Sequence, residues 1–382
     1  MNRRMMSWAG AGAVALLGAA GGAWILSLPL PRNAKLQAIP EDEASAIVNG
    51  LKPPKRQRPV IAIVGINDAT EVTDYVMPYG ILRRAGVADV MLVATDPGPV
   101  KLFPALTVEP DTTVAQFDAR YPEGADYVFV PAMSRDDDPA VLAWLRSQAA
   151  RGATIVGVCA GAKVVGAAGL LDGRRATTHW YYLDELRDRI PGMRYVPDRR
   201  LVVDGNVATT TGISASMPAA LTVIEAIAGR GKAEAVAREL GLARWDAGHD
   251  SGAFRFTRPF ALTAIANTAA FWNREQFGIE LTPGVDEVSL ALVADAWSRT
   301  YRSRALTFSA TAVAKQTRNG LRIVPDRVAN AWAAKQSLPP IGVRRPAEAL
   351  DQALAGITER YGARTADFVA MQLEYPRPPQ GG

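Results

Sequence analysis

The single cysteine of this chain lies in a setting that could make it a nucleophile. Cys159 stands between Gly157 and Gly161 in a Gly-Val-Cys-Ala-Gly segment that directly follows the apolar run over 153–156. A buried strand, a turn of small residues and a helix start define a nucleophile elbow, whose glycines permit a tight turn and a strained nucleophile. The helix predicted over 160–169 points its N–H groups at the sulfur, which favours the reactive thiolate. A buried structural cysteine is the alternative.

The segments around the cysteine alternate between apolar runs and helical patterns. Apolar runs typical of buried parallel strands occupy 59–64, 90–94, 126–131, 154–158 and 207–210, with a short strand at 106–108. Helical spacing predicts helices over about 70–86, 138–151 and 214–228. This alternation predicts an α/β fold, a parallel sheet sandwiched by helices. Ligands bind such sheets at the carboxyl ends of strands, where Cys159 falls.

The composition is that of a globular protein that can bury a full core, since 48% of its 382 residues are hydrophobic and 21% are charged. The net charge of +5 is spread along the chain, without a basic block interleaved with aromatics or a helix-turn-helix pattern, so we expect no nucleic-acid partner. One cysteine excludes an internal disulfide and a multi-cysteine metal site, and two histidines leave little for zinc. We therefore predict no metal and no cofactor.

The N-terminus departs from this composition. Two arginines at 3–4 precede an uncharged stretch over 5–31 that is long enough to span a bilayer. We predict a signal anchor or signal peptide over 1–34, followed by a linker over 35–57. With the arginines inside, the body of the protein is exported. In a Gram-negative source we expect an inner-membrane anchor with the body in the periplasm, or secretion to the periplasm if the signal is cleaved.

The C-terminal part of the chain echoes the first α/β segment. Residues 90–111 end in Leu-Thr-Val-Glu-Pro-Asp, and residues 305–326, 215 positions later, end in Leu-Arg-Ile-Val-Pro-Asp. We interpret 276–382 as a second, degenerate α/β unit, joined to a first domain over 58–243 by a helical connector over 244–275. Chance similarity is the alternative. A true repeat predicts a second strand-helix-strand unit that packs on the first as an intramolecular pseudo-dimer.

Residues 58–243 resemble the ThiJ/PfpI superfamily, with its flavodoxin-like, class I glutamine amidotransferase-like fold. The resemblance rests on Val-Cys-Ala-Gly-Ala over 158–162, on Ala-Gly-Leu-Leu-Asp-Gly-Arg-Arg-Ala-Thr-Thr-His-Trp over 168–180, and on Asp-Gly-Asn and Thr-Thr-Gly-Ile-Ser-Ala over 204–206 and 210–215. It is strongest toward the branch that holds isocyanide hydratases and the amidase-like domains of AraC-type regulators. It implies a small-molecule substrate or ligand, and a homodimer unless the second unit replaces the partner.

The resemblance also implies partners for the cysteine. Members of the superfamily place an acid from the first helix beside it, and the matching position is Asp74, with Glu71 one turn earlier as the alternative. Such a carboxyl donates a hydrogen bond to the sulfur when protonated and orients water when ionised. His179 lies in the Thr-Thr-His-Trp segment, where it either pairs with the thiol as a base or orients the loop. His249 does not match the glutamine amidotransferase pattern, so we predict no glutaminase activity and a surface or linker position for it.

One departure from the family pattern concerns the oxyanion hole. Members carry a Gly-Gly pair after the third strand, where this chain has Pro-Ala-Met-Ser over 131–134. The Ala160 N–H still stabilises developing charge, and Ala132 stands where the second donor belongs. Met133 narrows the pocket. The site is therefore either altered or specialised for a small apolar substrate.

Two classes of function fit these residues. In the first, a cysteine-dependent hydrolase or hydratase, the Cys159 thiolate attacks a small isocyanide, amide or aldehyde carbon and Asp74 handles the water or proton. In the second, the domain binds a ligand as a non-catalytic sensor, with the membrane anchor as its output element. A third reading is redox sensing or protection through an accessible cysteine of low pKa.

Overall fold

The computed structural model describes residues 21–35, 38–342 and 344–377. The first unit has the predicted α/β fold. Its strands are β1 (Val60–Gly65), β2 (Asp68–Glu71), β3 (Asp89–Ala94), β4 (Val100–Phe103), β5 (Thr107–Glu109), β6 (Thr112–Thr113), β7 (Tyr127–Val130), β8 (Thr154–Gly157), β9 (Arg175–Ala176), β10 (Arg194–Tyr195), β11 (Leu201–Asp204) and β12 (Val207–Thr210). Its helices are α1 (Glu41–Gly50), α2 (Val72–Ala85), α3 (Val114–Arg120), α4 (Pro139–Ala150), α5 (Gly161–Ala167), α6 (Leu183–Arg189), α7 (Ser216–Ala228) and α8 (Arg230–Leu240).

The central sheet has the strand order β11-β12-β8-β7-β1-β3-β6. Its strands pair in parallel except for β11, which pairs antiparallel with β12. Every residue of β1 is buried because alternate side chains enter two different cores. Ile61 and Ile63 join the core under α2 and α7, whereas Ala62 and Val64 join the core under α4 and α5. Helices therefore cover both faces of the sheet, as predicted.

The start of α2 differs from the sequence prediction in a way that shapes the site. The residues predicted as its first turn form β2, and the helix begins at Val72. The Glu71 side chain caps the helix by accepting the Asp74 N–H, so the two acids share one turn. The helix ends as predicted at Gly86, which takes the left-handed conformation with φ 68°.

The connector and the second unit hold the remaining elements. They are α9 (Arg258–Ala269), β13 (Glu275–Glu280), α10 (Glu287–Ser298), β14 (Ser303–Ser309), β15 (Lys315–Gln316), β16 (Arg322–Val324), β17 (Arg327–Val328), α11 (Pro346–Tyr361) and α12 (Ala363–Gln372). Short 3₁₀ turns cover Trp180–Tyr182, Ile213–Ala215, Ser251–Ala253, Phe271–Asn273 and Ala334–Gln336. Strands β13, β14 and β17 form a second parallel sheet.

The second unit repeats the element order of the first at the offset of 215 residues seen in the sequence. Strand β13 begins and ends 215 residues after β1, α10 begins 215 residues after α2, and β16 and β17 stand in the same relation to β5 and β6. A finer contact recurs as well. Asp111 accepts the Leu92 N–H, and Asp326 accepts the Thr307 N–H. Chance similarity of sequence does not predict this agreement, which is what a repeated unit produces.

The two units meet about a pseudo-twofold axis. Strands β5 and β16 pair antiparallel with Val108 opposite Ile323, two residues that are themselves counterparts in the repeat. A segment that pairs with its own counterpart is the signature of an isologous contact. Helix α2 packs against α10 beside this strand pair. The second unit therefore sits on the first as the pseudo-dimer hypothesis predicts.

The described part of the N-terminus packs on the connector. The Trp24 ring lies 5.8 Å from that of Phe256, and the Arg258 N–H donates to the Pro29 carbonyl. Residues 1–20, which contain most of the predicted signal anchor, lie outside the described residues. Among the residues that are described, no helix has the length and apolar character needed to cross a membrane. The segment predicted as a helical connector contains α9, preceded by mostly irregular chain over 244–257.

Candidate functional site

The elbow has the strained backbone that its sequence predicts. Cys159 has a φ of 56°, in the left-handed region that residues with side chains rarely adopt. Its N–H donates to the Thr210 Oγ1 and its carbonyl accepts from the Thr178 Oγ1, each at 3.0 Å. Two threonines on neighbouring segments thereby hold the strained residue in place.

Gly161 lets the elbow pack against the sheet. A Cβ at this position would lie 1.8 Å from the Val130 carbonyl oxygen at the end of β7. The Gly157 position is less tight, since a Cβ there would lie 3.1 Å from the Ala162 Cα. Helix α5 can therefore begin directly behind the cysteine, although it ends at Ala167, two residues before the predicted end.

Asp74 is the carboxyl that the fold brings to the cysteine. It lies fully buried in the first turn of α2. Its Oδ2 accepts the Ala132 N–H at 3.1 Å, whereas its buried Oδ1 has no hydrogen-bond partner among the described residues. Burial, followed by the charge of Glu71, raises the pKa of Asp74 well above its ordinary value. This side chain is therefore a protonated acid at neutral pH.

The cysteine is held as a thiol, so the prediction of a favoured thiolate is wrong for this arrangement. Burial raises the pKa of Cys159 well above its ordinary value, and the carboxyls of Asp74, Glu71 and Glu374 raise it further. A hydrogen bond from the Ala160 N–H to the sulfur acts in the opposite direction and is the smaller effect. The residue is only 4% exposed. The site thus presents a thiol beside a carboxylic acid, a pair with protons to transfer.

His179 lines the same pocket, but backbone groups engage both of its ring nitrogens. Nε2 lies 2.9 Å from the Gln372 carbonyl oxygen, and Nδ1 accepts the Tyr181 N–H at 3.2 Å. The proton therefore sits on Nε2, and burial lowers the pKa of the ring. This geometry disagrees with a base that pairs with the thiol. It favours the alternative role, in which His179 orients the loop that carries Trp180.

Ala132 does not offer a free second oxyanion donor. Its N–H is bound to Asp74, and its carbonyl accepts the Glu71 N–H at 2.9 Å. It could serve as an oxyanion donor only by releasing Asp74, so the predicted role of Ala132 disagrees with the geometry. The Ala160 N–H is the backbone donor that faces the sulfur.

Arg299 belongs to the second unit and completes the polar end of the site. Its Nη2 donates to Glu71 at 2.7 Å, and its Nε lies 2.8 Å from both carboxylate oxygens of Asp295 on α10. Its Nη1 makes no hydrogen bond within the described ranges, and the side chain lines the pocket with Cys159. Burial raises the pKa of Asp295 to about 7, against the opposing charge of Arg299. A single guanidinium therefore joins two acids across the interface between the units.

His249 is buried, so its predicted surface position is wrong. It is 6% exposed, its ring stacks on Phe254 with centroids 5.2 Å apart, and its Nε2 lies 3.4 Å from Glu374. Glu374 in turn accepts the Trp180 N–H at 2.8 Å. The C-terminal segment therefore fixes the loop that carries His179 against one wall of the site.

The cysteine lies at the polar end of a pocket of about 590 Å³. Both units and the connector contribute aromatic side chains to its other walls, namely Phe103, Trp180, Tyr182, Phe256, Phe260, Tyr301 and Phe368. Met133 also lines it. The size and lining suit a small, largely apolar molecule. Within the described ranges, no cluster of histidine, cysteine and acidic side chains could hold a metal ion.

Comparison with known proteins defines the class to which this fold and site belong. The sequence profile of the DJ-1/PfpI family matches residues 60–226. An isonitrile hydratase of Pseudomonas putida is 36% identical over 172 residues, which cover 44% of this chain and 72% of that protein. The Parkinson disease protein 7 homolog of Danio rerio is 30% identical over 174 residues, which cover 44% of this chain and 89% of that protein. The chain belongs to the DJ-1/PfpI family, and the resemblance seen in the sequence is confirmed.

Two further similarities have a narrower reach. The HTH-type transcriptional regulator CdhR of Pseudomonas aeruginosa is 32% identical over 136 residues, which cover 35% of this chain and 39% of that protein. The crystal structure of DJ-1beta from Drosophila melanogaster matches with a TM-score of 0.44 and 26% identity, over 49% of this chain and the whole of that one. Each of these similarities covers less than half of this chain.

Sequence reasoning missed Arg299 and Glu374 as members of the site. The repeat carried a signal for the first, because Arg299 is the counterpart of Arg84, and α2 and α10 were both expected at the interface between the units. Glu374 carried no signal beyond the position of the tail. Its contacts with His249 and Trp180 join residues that are far apart in the chain.

Proposed function

We propose that this protein is a cysteine-dependent hydratase that adds water to a small isonitrile, R–N≡C, and releases the N-substituted formamide. The observation that carries the proposal is the buried pair of Cys159 and Asp74, both held protonated at the polar end of a largely apolar pocket. The similarity to the isonitrile hydratase of Pseudomonas putida supports this choice of substrate.

The first step suits a thiol of raised pKa. An isonitrile accepts a proton and a nucleophile at the same terminal carbon. The Cys159 sulfur bonds to that carbon, Asp74 gives its proton to the carbon, and the thiol proton passes to Asp74. The product is the thioimidate R–N=CH–S–Cys, and Asp74 is left protonated. A stable thiolate would add the sulfur but bring no proton for the carbon.

The second step returns the site to its starting state. Water adds to the thioimidate carbon, its proton passes through Asp74 to the nitrogen, and the carbon–sulfur bond breaks. The products are R–NH–CHO and the Cys159 thiol, so atoms and charge balance. The Ala160 N–H stabilises the sulfur as it leaves. The aromatic walls hold the R group and limit access of bulk water.

The direct test is turnover of cyclohexyl isocyanide by the full chain, followed as N-cyclohexylformamide by chromatography. Cys159→Ala is expected to lower kcat by about a thousandfold or more, because the covalent route is lost. Ser289→Ala, at the counterpart of Asp74 in the second unit, is the matched control and should leave kcat unchanged. Absence of turnover with both aliphatic and aromatic isonitriles, in a folded wild-type protein, would overturn the proposal.

Ligand sensing without turnover is the second candidate function, and one observation favours it. Because Asp74 holds the Ala132 N–H, charge that develops during a reaction is left to the Ala160 N–H. The similarity to the regulator CdhR supports the same alternative. Equal ligand affinity in wild-type and Cys159→Ala protein, with no product formed, would decide for sensing. The raised pKa of Cys159 argues against ready oxidation as the main role.

We also propose that the chain works as a monomer, since the second unit occupies the faces of α2 and β5 that a second copy would need. Sedimentation should give the mass of one chain, and a tight dimer of whole chains would refute this. Inner-membrane anchoring with a periplasmic body is a further proposal, which rests on residues 1–34 of the sequence. Cell fractionation with a C-terminal reporter tests it.

A further inference from the structure

A second chamber adjoins the pocket that holds the cysteine. Its volume is about 690 Å³, and the two cavities share the lining residues Ala69, Phe103, Pro104, Ser298 and Tyr301. Phe103 and Tyr301 are 54% and 43% exposed, so their rings form a narrow aromatic junction open to solvent. The shared walls make the two cavities one groove that leads outward from Cys159. We call them the inner pocket and the outer chamber.

The outer chamber differs from the inner pocket in its charge. Lys101 from β4, Arg274 beside β13 and Arg304 from β14 all line it, and all three are exposed. None of the three side chains makes a hydrogen bond or an ion pair to another residue within the described ranges. One strand of the first unit and two segments of the second thus converge with three uncompensated cations.

Two acids line the same chamber and do not neutralise these cations. The Glu275 carboxylate is bound by Arg360 and accepts the Tyr361 hydroxyl at 2.6 Å. The hydrogen bond from Arg360 holds the pKa of Glu275 below its ordinary value. Asp68 is then the acid that faces three cations. The chamber carries an excess of positive charge.

We propose that the molecule bound at this site carries an anionic group, a carboxylate or a phosphate, at the end remote from the reacting carbon, and that Lys101, Arg274 and Arg304 bind this group. The apolar body lies between the aromatic walls of the inner pocket. The identity of the reacting carbon rests on the proposed function, whereas the anionic tail rests on the outer chamber alone.

The physical argument concerns concentration and solvation. Cations that share one concave surface repel one another, and an anion among them relieves this repulsion. A single exposed ion pair contributes little. A tail that is tethered by its body in the inner pocket meets the cations at a high effective concentration, so the weak contacts add to binding. A tail too short to pass Phe103 and Tyr301 leaves its charge between aromatic rings, where loss of water opposes binding.

The test measures binding to the full-length Cys159→Ala protein by titration calorimetry. The probes are ω-phenylalkanoates of increasing chain length, each beside its neutral primary amide. Beyond a threshold length the carboxylate should bind about tenfold tighter than the amide. The preference should shrink as salt rises, because the screening length falls below about 8 Å above physiological ionic strength. Phenylalkyl phosphates of equal length distinguish the two anions by their relative affinity.

The variant Lys101→Ala/Arg304→Gln should abolish most of the preference for the carboxylate. Arg146→Gln, which removes an exposed arginine of α4, is the matched control and should leave the preference unchanged. Equal affinity of acid and amide at every length overturns the proposal, and so does a preference that survives the double variant. If the double variant misfolds, the salt dependence in the parent protein gives the same decision. Binding is measured without the nucleophile, so a protein that hydrates no isonitrile still returns a clear answer here.

Discussion

The starts of α2 and α10 are the same position in two copies of one unit, yet only the first carries an acid for chemistry. Glu71 and Asp286 each cap their helix by accepting the N–H three residues later. That third residue is Asp74 in the first unit and Ser289 in the second. The cap, which the fold needs, is present in both copies, whereas the buried acid is present only beside the cysteine. This contrast separates structural from functional residues within one chain.

The two arginines that cross the interface differ in the same sense. Arg84 and Arg299 are counterparts, and each binds the helix cap of the other unit. Asp295 satisfies the Nε of Arg299, whereas the counterpart of Asp295 on α2 is Gly80. The Nε and Nη1 of Arg84 are buried without hydrogen-bond partners among the described residues. The second unit therefore holds its arginine firmly and presents it to the site of the first.

The largest expected difference between the two helix starts is in catalysis. Asp74→Asn should lower kcat for isonitrile hydration by about a hundredfold or more, because the amide cannot relay the proton. Ser289→Ala should leave kcat unchanged. Steady-state kinetics of both variants, with circular dichroism to show that they fold, is the measurement. Turnover by Asp74→Asn at the wild-type rate would remove this acid from the mechanism.

The crossing arginines should differ in stability. Arg299→Gln leaves Glu71 and Asp295 as buried acids without their cation, at a cost of about 4 kcal/mol in the free energy of unfolding. Arg84→Gln removes a buried cation that is poorly satisfied, so its effect should stay within about 1 kcal/mol. Urea unfolding of both variants measures the difference. Equal losses would show that the two contacts are equivalent after all.

The strand pair at the pseudo-twofold axis offers a smaller contrast between a buried and an exposed residue. Ile323→Ala should cost about 3 kcal/mol, because it deletes a fully buried side chain from the contact between β5 and β16. Arg322→Ala removes an exposed ion pair with Glu109 and should not change the melting temperature measurably. Calorimetry of the two variants is sufficient. A large loss from Arg322→Ala would assign the surface charges a structural role.

The smallest expected effect is a change in the pH dependence of stability. The unfolded pKa of an aspartate is about 3.9. Since the folded pKa of Asp295 is raised to about 7, stability should fall as pH rises between these values and level off above the folded pKa. Asp295→Asn should make this slope shallower. Asp137→Asn, at an exposed aspartate, should not. Unfolding free energies from pH 5 to 8 test this, and an unchanged slope in Asp295→Asn would contradict it.

The sequence predicted those parts of the molecule that local pattern determines. Small residues after a buried apolar run were enough to place Cys159 on a strained turn. The alternation of strands and helices predicted the sheet and its carboxyl edge, and the repeat predicted the second α/β unit. Asp74 came from a resemblance in motif, and the fold brings it to the cysteine. These features depend on residues close together in the chain.

The features that sequence reasoning missed depend on packing between distant segments. A helix N-terminus alone favours a thiolate, but burial and three carboxyls from separate elements outweigh it at Cys159. His249 stands in a run of small and charged residues and looks exposed, yet Phe254 and the distant Glu374 bury it. Arg299 reaches the site only because α10 packs on α2. Spacing along the chain does not encode these three-dimensional meetings.

The pocket is built from both units of a single polypeptide, and this affects its response to dilution. Arg299, Tyr301 and Phe368 share a chain with Cys159, so the site does not dissociate at low abundance as a pocket shared by two separate chains would. Each molecule is complete even when a cell holds few copies. The penalty falls on biosynthesis, because the thiol leaves the ribosome before its far wall exists. The apolar face of α2 must then remain unaggregated until α10 arrives to cover it.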